Sequence, residues 1–198
     1  MLLKNQIKFV QSLKQKKIRE QEQLFIAEGE KIILELISSD IKIKQLFALK
    51  EFFDEHVIDD KSLECISISS KELEQISLLT TPNKAFAVCH IPDCFIDNVI
   101  FHGKLTVVLD GIRDPGNLGT IIRIADWFGI DNIVCSNDTV DAFNPKVVQA
   151  TMGSIARVNL HYTNLEAFFT TEKTTHIPRF AAVLQGSNIY KQQLPDSG

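Results

Sequence analysis

The sequence predicts an α/β protein of two alternating units, the second built on a mostly parallel sheet. Three observations carry that prediction. Short apolar runs recur along the chain and are separated by stretches whose apolar residues fall at helical spacing. The composition, 44% hydrophobic and 23% charged, is that of a chain able to bury a core. A length of 198 residues accommodates one large or two small domains.

Residues 4–20 place Ile7, Val10, Leu13 and Ile18 at near-helical spacing, which predicts one basic amphipathic helix. Leu24–Ala27 reads as a strand, Gly29 as a break, and the stretch through Ile37 as a helix. A strand near 43–49, a short helix over EFFDEHV and a strand near 64–69 follow. A helix capped at Ser70 and a strand over KAFAVCHI close a first α/β unit, residues 1–91. The connector 92–104 carries Pro92 and Gly103. The second unit, 105–198, reads as strand 105–109, helix 118–128, strand 131–135, helix 144–152 and strand 155–160, then helix 164–171 and strand 179–185. Such alternation predicts parallel pairing with helices on both faces of the sheet. Four strands of this kind leave a bare edge.

The net charge of −4 argues against wholesale nucleic-acid binding, but the distribution of charge does not. Residues 1–19 hold Lys4, Lys8, Lys14, Lys16, Lys17 and Arg19 and no acidic residue. This segment is either an electrostatic contact for a polyanion or a solvated helix face. No apolar run approaches the length of a membrane span, and no signal peptide is evident. Cys65, Cys89, Cys94 and Cys135 fit neither a disulfide framework nor a metal site, so buried free thiols in the cytoplasm are expected. Cys89, His90 and Cys94 only superficially resemble zinc ligands, and no metal is expected.

The stretch LTVVLDGIRDPGNLGTIIRIADWFG, 105–129, is a strand, a glycine turn and a helix. That layout aims backbone N–H groups and a helix N-terminus at the carboxyl edge of a sheet, where anions bind. Asn117 adds a neutral donor and acceptor, and Arg123 a fixed positive charge. Alternatively the stretch is a tight turn with Arg123 paired to Asp126 or Asp114. It is not a Walker loop, and Gly111, Gly116 and Gly119 do not have dinucleotide-fold spacing, so a phosphate-loop small-molecule enzyme is disfavoured. In DAFNPKVVQATMGSIARV, 141–158, Asn144 and Pro145 start a helix. The small residues of ATMGS suit close approach of a ligand or a subunit, or a packed corner. The five histidines form no constellation, and Trp127 belongs to core or interface.

Together these two stretches resemble the first two motifs of the SpoU (TrmH) family, RNA ribose 2′-O-methyltransferases of the knotted SPOUT class. The basic start, KFVQSLKQKKIREQEQLFIAEGEKII, is similar to the ribosomal-protein-like substrate-binding domain that precedes the catalytic domain in many members. The resemblance implies S-adenosylmethionine-dependent 2′-O-methylation of a ribose in rRNA or tRNA, by a homodimer that meets no membrane. It gives Arg123 the catalytic part at the ribose 2′-hydroxyl. An arginine keeps its proton at neutral pH, so unless strongly perturbed it holds phosphate and stabilises a developing alkoxide rather than acting as a base. Asn117 orients Arg123 or the ribose. Lys14, Lys16, Lys17, Arg19 and Ser154 face RNA, and Gln149 stands where many relatives carry an arginine.

The family's third motif, which makes most of the methyl-donor pocket within the trefoil knot, is expected to be absent, since the chain ends at LPDSG. Val183, Leu184 and Gln185 are then expected to be one wall of that pocket, and the 198-residue polypeptide alone is expected to bind S-adenosylmethionine poorly and lack activity. A non-catalytic RNA-binding protein, or an inactive fragment, is the alternative.

Overall fold

The computed structural model describes residues 2–60, 63–193 and 198. The basic leading segment folds as two helices, α1 (Lys4–Ser12) and α2 (Lys16–Glu22), where its spacing predicts one. A continuous helix would offer the carbonyls of Leu13 and Lys14 to backbone donors one turn on. Both accept instead from Nη1 of Arg19, at 2.9 Å each. The chain turns at that point and α2 starts afresh.

The first sheet comprises β1 (Leu24–Glu28), β2 (Ile43–Ala48), β3 (Glu64–Ser67) and β4 (Ala85–His90), with α3 (Glu30–Ile37), α4 (Lys50–Glu55) and α5 (Ser70–Ile76) between them. Its order is β1-β4-β2-β3, and only β2 and β3 pair parallel. Thus β4 returns to the middle, antiparallel to both neighbours, and this sheet is mixed where that of the second unit is parallel. Its buried run Ala85–Cys89 suits a central strand, covered on both faces. Alternation sorts the faces: Leu24, Ile26, Phe86 and Val88 pack on Val10 of α1 and Leu73 of α5. Phe25, Ala27, Ala87 and Cys89 face the opposite core. The cap of α5 is Ser69 rather than Ser70: its backbone N–H donates to Glu72 Oε2 at 2.9 Å, and its Oγ accepts from the Glu72 N–H.

The second sheet is parallel throughout, in the order β5 (Val107–Leu109), β6 (Asn132–Ser136), β7 (Asn159–Thr163). On one face lie α6 (Pro115–Trp127) and α7 (Pro145–Thr151), packed on Ile133 and Cys135. On the other, Val134 meets Phe168 of α8 (Leu165–Phe169). The expected strand 155–160 is displaced: residues Ser154–Ala156 form a 3-10 turn, and β7 begins at Asn159. Residues 179–185 form no strand.

Both units share one core. Phe25 and Ala27 of β1 lie in the same cluster as Leu118 and Ile122 of α6 and Val147 and Val148 of α7. The rings of Phe25 and Phe143 approach to 4.8 Å. At the rim, Arg157 binds Asp126 of its own unit (Nη2–Oδ2, 2.8 Å) and Glu35 of α3.

Candidate active site

Helix α6 rises from the carboxyl edge of β5 through the glycine turn. Asp114 caps it, its Oδ1 accepting from the Asn117 N–H at 2.8 Å, and Pro115 occupies the first turn. Leu118, Ile122 and Ala125 recur at near-helical spacing and bury one face. Gly119 sits where α6 meets α7: a Cβ there would stand 2.4 Å from Ala150 Cβ. A side chain would force the helices apart.

Two donors of the turn and helix start, the Gly111 and Asn117 N–H groups, are satisfied from within rather than held open for an anion. The Gly111 N–H donates to Ser136 Oγ at 2.8 Å, and that hydroxyl donates to Asp138 Oδ1 at 2.7 Å. Asp138, whose carboxyl is held below its ordinary range chiefly by Ser136, also lies 3.5 Å from Arg113. Asp114 and Asp138 thus set negative charge beside the turn.

Asn117 and Arg123 are both exposed on α6. Six residues apart, they differ by about 120° around the axis and about 9 Å along it, so Asn117 does not orient Arg123 within one helix. Among the described residues Arg123 makes no ion pair. Asp114 is spent on the cap, and Asp126 is held by Arg157, whose hydrogen bond keeps its carboxyl below the ordinary range ahead of any other cause. The Arg123 guanidinium is therefore available to an external anion. It borders a shallow basin of roughly 550 Å³ with Thr120, Trp127, Phe128 and Ser154. Trp127 is 86% exposed and Phe128 72%, so Trp127 is a surface residue rather than core.

The other expected site residues divide. Lys14, Lys16 and Lys17 are exposed, Lys16 beside Glu20 at 3.6 Å. Arg19 is only 2% exposed, with Nε and Nη2 on Asp141 Oδ2 and Nη1 on two carbonyls, so it cannot face RNA. Ser154 is buried, its hydroxyl turned to Asp126, and offers RNA little surface. Val183, Leu184 and Gln185 lie exposed in irregular chain and do not form the wall expected of them. Of the cysteines, Cys89 and Cys135 are buried as expected, Cys135 pushed up to about 12 by burial, whereas Cys65 is exposed. Glu30, Glu55 and His56 gather within 4.8 Å, but the Lys84 ammonium already pairs with both glutamates.

Residues 104–197 match the SpoU rRNA Methylase family, and residues 4–87 match the MRM3-like substrate binding domain. A solved structure from Porphyromonas gingivalis, titled as an RNA methyltransferase of the TrmH family, superposes with a TM-score of 0.88. It is 35% identical over 98% of this chain and 76% of its own. The chain belongs to the SpoU (TrmH) family. Among SpoU relatives, the 23S rRNA (guanosine(2553)-2′-O)-methyltransferase RlmP of Bacillus subtilis is 29% identical over 98% of this chain and 76% of its own length. An AdoMet-bound rRNA methyltransferase from Sinorhizobium meliloti is 30% identical at a TM-score of 0.75, over 85% of this chain and 65% of its own. The chain spans 38% of the mitochondrial rRNA methyltransferase 3 of Xenopus laevis, at 30% identity. The SpoU motifs were legible from local sequence. The ties of Arg19 to Asp141 and of Arg157 to Glu35 were not, because each joins residues 122 positions apart.

Proposed function

We propose that this protein transfers a methyl group from S-adenosylmethionine to the 2′-hydroxyl of a ribose in ribosomal RNA. The observation that carries the reading is Arg123: a guanidinium with no carboxylate partner among the described residues, on the helix of the first SpoU motif, open to an external anion. There it holds the phosphate beside the target ribose and stabilises the alkoxide that develops as the hydroxyl is methylated. Asn117, one and two-thirds turns earlier, binds the ribose rather than Arg123. Exposed Lys14, Lys16 and Lys17 supply phosphate contacts from a first unit, 1–91, joined by the connector 92–104 to a methyltransferase unit, 105–198.

Trp127, Phe128 and half-exposed Ile124 give α6 an apolar face that a second copy of the chain covers, so the working form is a homodimer. No helix among the described residues is long and apolar enough to cross a membrane. The free thiols suit the cytoplasm. Replacing Arg123 by alanine in the full-length protein is expected to abolish methyl transfer from labelled S-adenosylmethionine to rRNA, while RNA affinity stays within a few-fold. Transfer at the wild-type rate by that variant would remove Arg123 from the mechanism.

A further inference from the structure

A cleft of roughly 720 Å³ opens where the two units meet. That is within the about 300–1,000 Å³ of sites that enclose small organic groups. Ile26, Leu78 and Leu79 wall it from the first unit, and Pro115, Pro145 and Ala150 from the second. Lys14 and Lys146, both exposed, stand at it from either unit. The acidic residue of the lining is Glu28, and its carboxyl is already engaged. Ser77 Oγ donates to it at 2.5 Å and the Leu78 N–H at 2.9 Å, which also fixes the loop that carries Leu78. Gln149 adds an amide with both donor and acceptor.

The backbone that carries the two lysines is fixed by the fold. Arg19, anchored on Asp141 of the second unit, binds the carbonyls of Leu13 and Lys14 and so sets the turn that presents Lys14. Asn144 Oδ1 accepts from the Lys146 N–H at 3.0 Å and starts α7 with that lysine in its first turn. In a chain of net charge −4, this leaves a local positive pole beside an apolar slot. An unpaired nucleotide has the matching chemistry: a flat apolar face, a hydrogen-bonding edge and a phosphate on either side. Pro115 lines the cleft two residues before Asn117, so an RNA strand seated here runs on toward the candidate active site.

We infer that the cleft between the units seats an unpaired nucleotide of the RNA substrate, its base against Leu78, Leu79 and Pro115 and its flanking phosphates on Lys14 and Lys146. Gln149 bonds the base edge. This rests on the RNA-methylation reading and adds to it where the strand is gripped.

The test is fluorescence anisotropy of the full chain with a labelled, mixed-sequence single-stranded RNA across a salt series. Lys146→Ala is expected to weaken binding on the order of fivefold and to flatten the log–log salt slope by about 0.7, one phosphate contact. Leu78→Ser should weaken binding by a similar factor with the slope unchanged, and exposed Lys50→Ala on α4 should change neither. Wild-type RNA binding that neither Lys146→Ala nor Leu78→Ser alters would overturn the cleft and leave the methylation reading standing. No RNA binding by the wild-type chain would overturn both. Capture of poly-glutamate in preference to RNA, lost in Lys146→Ala, would mark the cleft as a protein-docking site and sink the inference.

Discussion

Truncating Arg19 would leave Asp141 Oδ2 and the carbonyls of Leu13 and Lys14 without the donor that Arg19 supplies, in a place water barely reaches. Breaking a buried pair by removing one partner costs about 3–5 kcal/mol. Arg19→Ala is therefore expected to lower the urea midpoint markedly, whereas Lys17→Ala should leave it nearly unchanged. Equal midpoints for the two variants would show that the buried anchor contributes nothing. Sequence displays the charge of Arg19 and Lys17 alike, and both count as RNA contacts on that basis. What separates them is an acceptor 122 residues away, which no local pattern encodes. Arg123 was legible for the opposite reason: its motif is local, and its guanidinium answers to nothing else in the fold among the described residues.

Helices α6 and α7 were readable because their signals are local. Asn144 caps α7 before Pro145, and buried residues repeat at helical spacing in both, but α6 begins at Pro115, three residues before the expected 118, because Asp114 caps it within the glycine turn. Their contact depends on Gly119. Adding a methyl group there puts Cβ 2.4 Å from Ala150 Cβ and 3.0 Å from its carbonyl carbon, so Gly119→Ala is expected to destabilise by about 1–3 kcal/mol despite alanine's better helix propensity. A raised melting temperature in that variant would contradict the close approach. Strand pairing was less legible. The apolar run of β4 shows a buried strand, but its insertion antiparallel between β1 and β2 is decided by distant partners. Residues 179–185 have strand-like composition yet form no strand, since composition does not supply a neighbour to pair with.

At the scale of the molecule, the units are joined by the shared core and by Arg157, which bridges Asp126 and Glu35. Gly153 permits that junction: its φ of +101° is costly for other residues, and Glu35 Cγ lies 2.7 Å from where a Cβ would be. Because Arg157 depresses the Asp126 carboxyl, this group's contribution is complete above its ordinary value of 3.8 and is lost as pH falls through the lowered one. Burial raises Glu28, so its contribution has the opposite sign, largest in acid and lost as pH rises through the raised value. The Arg157–Asp126 bridge is thus expected to weaken only below about pH 4, read by the fluorescence of Trp127, the neighbour of Asp126 in sequence. A transition near pH 6 would contradict the assignment.

The SpoU family, and with it the chemistry proposed here, was visible in the sequence because it rests on contiguous motifs. The cleft between the units was not, since its walls come from five separate stretches of chain. The central claim is that the intact protein methylates a ribose, and it is tested by mapping 2′-O-methyl positions in the rRNA of cells with and without the gene. Deletion is expected to remove one ribose methylation, restored by the wild-type gene and not by Arg123→Ala. An unchanged methylation map after deletion, or full restoration by Arg123→Ala, would contradict it.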